Sequence, residues 1–250
     1  LRVDWSNPIT RGLVSVHLAG HTVGWTVNGT TLVPSAVGQS RQYVSASSNY
    51  LSAPLAVTYP LTMFALHRQT TVGVSRALVS VGNSSTGRHL LYFGNSNEFL
   101  VFSGSGGGQW GSTSAGAFYS DTSQYHMAVG VVRGTANRQG YYDGTSPFAA
   151  NTGIDTVAAS NTVALGAYWL SGVPQAGFYW PGEIALAGIF NRALSDPEIL
   201  SLSSDPWQLF APHRIWVPQA AITGLPTLSL PTYTPGSLTA TGFRPRVTAS

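Results

Sequence analysis

The sequence of 250 residues has no cysteine and no lysine; its 12 basic residues are all arginine. Without cysteine there is no disulfide, no thiolate metal site and no thiol nucleophile. Without lysine, Ser–Lys chemistry is excluded, and no Gly-x-Ser-x-Gly stretch marks a nucleophile elbow. Arginine in place of lysine fits the codon bias of a GC-rich genome. Charged residues make up only 8% of the chain, against roughly 25% in an average protein. The net charge of +3 is spread without a basic cluster, which argues against nucleic-acid binding. Only three glutamates occur, Glu98, Glu183 and Glu198. No two acidic residues share a strand face as the paired carboxylates of a glycosidase would. An acid pair assembled across different strands stays open. No apolar run is long enough to cross a membrane and no signal-peptide pattern is seen, so a soluble protein is expected.

What the chain has instead is glycine (28), proline (15) and aromatic residues at 11%. Short apolar runs recur between turn signals: Leu13–Leu18, Thr22–Val27, Thr30–Val33, Gln42–Val44, Leu61–His67, Ala77–Val81, His89–Phe93, Glu98–Phe102, Tyr125–Val132, Gln139–Tyr142, Thr162–Tyr168 and Gly182–Phe190. Asn28-Gly29 and Asp143-Gly144 are hairpin signals. About a dozen strands at this spacing predict an all-β, two-sheet antiparallel sandwich.

One helix signal stands out. Ser195-Asp196-Pro197-Glu198 fits a capping box with proline in the first turn. Ile199 and Leu202 then share a face. A short helix is expected near 196–203, stopped by Asp205-Pro206.

After Asp205 the composition changes. Residues 206–250 hold seven of the 15 prolines, and from Gln219 onward the only charges are Arg244 and Arg246. Proline at this density excludes a helix and a central strand. Leu225, Leu228, Leu230, Tyr233 and Phe243 are too apolar for a solvated linker. The division expected is a sandwich over 1–205 and an extended arm over 206–250, with those five side chains seated on another surface. The sparse charge of the sandwich likewise predicts a surface covered by partners.

The candidate site residues are few. Ser103–Gly108 is a glycine-rich loop, and Trp110 and Tyr119 lie in or near it. Exposed aromatic rings stack on sugars and also anchor protein interfaces, so these two are the glycan-binding candidates. His17 and His21 are four apart, about 13 Å on a strand and too far to share an ion. Asp143 is a weak calcium candidate, since its Asp-Gly turn already explains it. No metal or cofactor is expected.

Three stretches taken in order carry a resemblance: NPITRGLVSVHLAG at the start, SSNYLSAP near 50, and YYDGTS ahead of WPGEIALAGIFNRALSDPEI. Together they resemble the concanavalin A-like, laminin-G-like jelly-roll family over roughly residues 8–205. That likeness implies that the Asp-Gly turn joins two late strands and that Gly182–Phe190 is the last core strand before its helix. The GLV opening, the proline-rich end and the final GFRPRVTAS look like the versions encoded by tailed bacteriophages and prophages. The function this implies is a non-enzymatic virion structural protein, in head decoration or the tail apparatus. It would be exposed on the virion surface, in contact with other virion proteins and with itself, a trimer being preferred. The alternative is a carbohydrate-binding module for host or environmental glycans, with a glycan hydrolase third.

Overall fold

The computed structural model describes residues 2–83, 87–104, 119–145, 157 and 159–211. Chain contacts divide it into two units, Leu1–Ala211 and Pro212–Ser250. The arm residues Leu225, Leu228, Leu230, Tyr233 and Phe243 fall outside the described residues, as does Trp110.

The first unit is built from strands β1 (Leu13–Leu18), β2 (Thr26–Asn28), β3 (Thr31–Ser35), β4 (Gly38–Tyr43), β5 (Tyr50–Val57), β6 (Leu61–Gln69), β7 (Arg76–Gly82) and β8 (Arg88–Phe93). It continues through β9 (Phe99–Gly104), β10 (His126–Gly134), β11 (Asn137–Tyr142), β12 (Ser160–Leu165), β13 (Trp169–Leu170), β14 (Val173–Pro174) and β15 (Gly182–Phe190) to the helix α1 (Asp196–Ser204). The strands form two large antiparallel sheets. One runs β11-β10-β6-β15-β4-β3, with β1 also pairing β15; the other runs β2-β5-β12-β7-β8-β9.

Strand alternation decides what fills the space between them. Met63 and Ala65 of β6, Ile184 and Ile189 of β15, Val79 and Val81 of β7, and Val163 and Leu165 of β12 meet in one buried core. On the opposite side of β6 and β15, Phe64, Leu66, Leu186 and Phe190 join Ile199 and Leu202 of α1 in a second core. The helix therefore caps the outer face of the seven-stranded sheet. A bulge between Ile184 and Leu186 shifts the register of β15 against β6. At the same place β15 exchanges its other neighbour, from β4 at Gly182–Ile184 to β1 at Leu186–Phe190. The extra residue lets one strand face two partners while Ile184 and Ala187 both point into the core.

The outer face of the six-stranded sheet is covered differently. Over β7, β8 and β9, Ala77, Leu90, Tyr92 and Phe102 pack under Tyr168, with Leu170 and Phe178 alongside. Over β2, β5 and β12 a pocket opens.

Three sequence expectations change in detail. The run from Thr22 becomes strand only at Thr26–Asn28, and that from Thr162 stops at Leu165, where Gly166 takes φ +74° and turns the chain. Strand β5 was not anticipated, because Pro54 interrupts it. Its neighbour β2 pairs only Tyr50–Ser52, so the proline sits where one side of the strand is already free. The helix extends over Asp196–Ser204, and short 3-10 turns flank the sandwich at Pro8–Thr10, Ser45–Ser47 and Pro206–Leu209. Leu209 of the last is buried beside α1 in the second core.

Candidate functional site

Two residues singled out in the sequence, Tyr119 and Asp143, meet at one end of the sandwich, and both are engaged there. The Tyr119 ring stacks on Tyr142 at 3.7 Å, and His126 stacks on the same tyrosine at 5.1 Å. Burial, then the charge of Asp143, pushes the Tyr119 hydroxyl up to about 12. Asp143 takes φ +50° and Gly144 φ +78°, the left-handed pair that a tight Asp-Gly turn requires. Its two oxygens accept from the Met127 N–H at 2.8 Å and face His126 Nδ1 at 2.7 Å. His126 Nε2 lies 3.4 Å from Asp121. The hydrogen bond with Asp143 raises the His126 pKa despite partial burial. Among the described residues no group of three or more His, Asp or Glu is arranged to hold a metal ion.

The carboxylates are dispersed over separate tasks. Glu183 accepts from Ser40 Oγ at 2.6 Å and also engages Arg68 and Tyr125. Burial works to raise its pKa, but the bonds from Ser40, Tyr125 and Arg68 outweigh it and hold the group below its ordinary value. Glu198 is paired with Arg192 at 2.7 Å and accepts from the Ser195 N–H at 2.8 Å. Glu98 accepts from the Ser96 N–H at 3.2 Å. His17 is buried against Trp25 at 5.2 Å, whereas His21 is exposed.

A different constellation lies on the outer face of the six-stranded sheet. Strands β13 and β14 pair as a small hairpin, turned by Ser171 at φ +53° and Gly172 at φ +80°, as a two-residue loop of this hand demands. The Gly172 N–H bonds Asn83 O at 3.2 Å and the Trp169 N–H bonds Ser80 Oγ at 2.9 Å, tying the hairpin down onto β7. Trp169 comes to rest over Gly82. A Cβ at Gly82 would lie 3.0 Å from the Trp169 carbonyl oxygen and 3.4 Å from its indole Cδ1. Only glycine lets the tryptophan approach the sheet this closely.

Beside that indole is a pocket of about 400 Å³ lined by Thr26, Ser52, Pro54, Asn161, Thr162 and Trp169. Tyr50 lies 6.2 Å from Trp169 and 6.5 Å from Tyr179, the two tyrosine rings being nearly parallel. The pocket thus offers half-buried ring surface next to hydroxyl and amide groups from three neighbouring strands. Among the described residues none of its lining side chains is charged. A second pocket, about 500 Å³, lies at the edge of the other sheet between Gly20, His21, Val37, Gln39 and Trp207; it brings one aromatic ring and fewer hydrogen-bonding groups.

Neither Tyr50 nor Tyr179 was marked in the sequence, and Trp169 was one tryptophan among seven. The available signal was the alternation in NYLSAPLAV, which sets Tyr50, Ser52 and Pro54 opposite Leu51, Ala53 and Leu55.

Comparison with known proteins fits this architecture. The family model described as the concanavalin A-like lectin/glucanases superfamily matches residues 38–200. The chain belongs to that superfamily. The expected phage origin has no counterpart in the comparisons. No curated protein matches the sequence. Among solved structures it is similar to domain 4 of a GH43 extracellular arabinanase from Geobacillus stearothermophilus in complex with arabinotriose. The TM-score is 0.58 at 14% identity, over 72% of this chain and 87% of that one. It is similar to the Trypanosoma rangeli sialidase with a TM-score of 0.57 and 17% identity, over 78% of this chain. There it spans only 33% of the sialidase chain. A heptameric SAP-like pentraxin from Limulus polyphemus shares the fold with a TM-score of 0.50 and 15% identity, over 62% of this chain and 75% of that one. At these identities the likeness is one of fold.

These neighbours correct the expectation of a non-enzymatic protein. Structures that share the fold include an arabinanase domain and sialidases, so the fold does not support a non-enzymatic reading. The scarcity of acidic residues excluded activity only for a motif confined to one strand. Glu183 shows how β4, β6, β15 and the residue before β10 assemble partners that share no sequence motif.

Proposed function

We propose that the chain is a carbohydrate-binding module that holds its glycan on the outer face of the six-stranded sheet, against Trp169. The observation that carries this is the seating of the indole over Gly82, beside the uncharged row of Thr26, Ser52, Asn161 and Thr162. A sugar ring has apolar C–H faces and a rim of hydroxyls. It is matched by an aromatic surface bordered by hydrogen-bonding side chains. The arabinanase domain with this fold was solved with arabinotriose, which supports a glycan as the ligand. Trp110 and Tyr119, the pair expected from the sequence, are the alternative place of contact. The test is a glycan array on the intact chain followed by calorimetry on the ligand found. Trp169→Ala weakens binding at least tenfold, about 1.4 kcal/mol, while Trp110→Ala leaves it within twofold. The reverse pattern would move the site to the glycine-rich loop.

The composition beyond Gln219 favours a second role for the same protein. With Arg244 and Arg246 its only charges, this arm gains from apolar burial on a neighbour. That suits a structural component of a tailed-phage virion, in head decoration or tail, displayed at the particle surface and assembled as a trimer. The heptameric pentraxin supports the compatibility of the sandwich with closed rings. Removing residues 219–250 should leave the β-type circular dichroism spectrum unchanged and convert the oligomer to monomer in light scattering. A truncated chain that assembles normally would contradict this role.

A further inference from the structure

The proposed glycan pocket is closed on one side and open on the other, and that asymmetry bears on which part of a glycan enters it. Across the sheet, Thr26, Ser52, Ala164 and Ser80 stand opposite one another in register from β2 through β5 and β12 to β7. Thr26 and Ser52 of this row line the pocket, whereas Ala164 and Ser80 are fully buried. At its β7 end the row is covered. The Ser80 hydroxyl is occupied by the Trp169 N–H, and the hairpin of β13 and β14 stands on that strand. At the other end lies β2, the edge strand of the sheet, whose three residues are all exposed. The open length covers β2, β5 and β12. That is two inter-strand spacings, roughly 10 Å, the length of about two sugar rings.

The charge pattern is as one-sided as the shape. Among the described residues no lining side chain carries a charge. The nearest cation in the same cross-strand register is Arg88, opposite Gly82, which is opposite Thr162. Arg88 is 6% exposed, and its guanidinium lies over the rings of Phe102 at 5.1 Å and Tyr168 at 5.5 Å. It is packed beneath the hairpin on the far side of Trp169. A carboxylate entering the pocket would shed water with no cation among the described lining residues to replace it, a cost that an uncharged hydroxyl escapes.

Resting on the glycan-binding reading above, we infer that the pocket recognises the end of an uncharged glycan: one or two terminal sugar residues, with the remainder of the chain leaving over β2. An internal stretch would have to pass through the hairpin. An acidic sugar would be left unpaired.

The experiment is calorimetry of the intact chain against neutral gluco-, xylo-, galacto- and arabino-oligosaccharides of one to five residues, with oligogalacturonates of the same lengths in parallel. At least one neutral series should bind. Its affinity should rise about tenfold from one residue to two and stay within twofold from two to five. Oligogalacturonates should bind at least tenfold more weakly. Both Trp169→Ala and the part-exposed Thr162→Asp should abolish the neutral binding, with circular dichroism confirming the fold. The second variant keeps the test valid if the first unfolds. Affinity that keeps climbing to five residues overturns end recognition. Tighter binding of the galacturonates, or no binding by any neutral series, overturns the uncharged class. If an acidic series binds and is lost in Trp169→Ala, the site stands and only its ligand class falls. If neutral binding persists in both variants, the site itself is wrong.

Discussion

His17, His67 and His89 are fully buried between the sheets or at their margin. His67 is ringed by Phe93, Tyr142 and Trp180 at 5.1 to 5.9 Å. His89 Nδ1 is 2.8 Å from Ser103 Oγ. Burial drives all three toward the neutral form. His17 and His89 fall to about 3, and His67 falls well below its usual value. The sign follows from proton counting. Unfolded histidine protonates near 6.5, while these folded ones do not until far lower pH. Their stabilising effect is complete above about pH 6.5 and is lost as the pH falls toward 3, by as much as about 1.4 kcal/mol per pH unit for each group. His126 acts in the opposite sense, since Asp143 raises its pKa, but it is one group against three. Denaturant midpoints measured from pH 7 to pH 4.5 should therefore drop steadily. A flat profile would contradict the burial of neutral histidines. In the sequence these residues were only scattered. Their placement follows from strand parity, which sets His17, His67 and His89 on the inward side of β1, β6 and β8.

Among the elements, α1 was the most legible. Its Ser195–Glu198 capping box is present, because the signal is local and needs no partner from elsewhere in the chain. Glu198 accepts from both the Ser195 N–H and Oγ–H at 2.8 Å and is held by Arg192, first through hydrogen bonding, which lowers its pKa to about 2. Ser195→Ala should cost about 1 kcal/mol in urea titration, with glycan binding untouched; unchanged stability would mean the cap is idle. Strand β15 was equally readable as an apolar run. Its bulge was not, since only the exchange of β4 for β1 across the sheet calls for the extra residue. Strand β5 and the β13–β14 hairpin escaped notice for a related reason. Proline at 54, and strands of two residues, look like loop until the neighbours that license them are known. The pocket is made from those unanticipated elements, and so it too was hidden.

At the scale of the whole molecule the two outer faces are unequal. The seven-stranded face is closed by α1 and the turn after it, with Ile199, Leu202 and Leu209 fully buried there. The six-stranded face is closed over β7 to β9 and open over β2, β5 and β12. The family likeness and the order of its motifs were readable from the sequence, and the fold followed from them. Which face remains available depends on where the hairpin settles, and that depends on Gly82. The most direct measurement is amide and indole chemical-shift mapping of the labelled chain during titration with the oligosaccharide it binds. The account predicts saturable shifts at the Trp169 Nε1–H and at the amides of Thr26, Ser52 and Thr162, with the Tyr119–Asp143 end unmoved. Shifts centred on Tyr119, His126 and Asp143, with Trp169 unaffected, would contradict it.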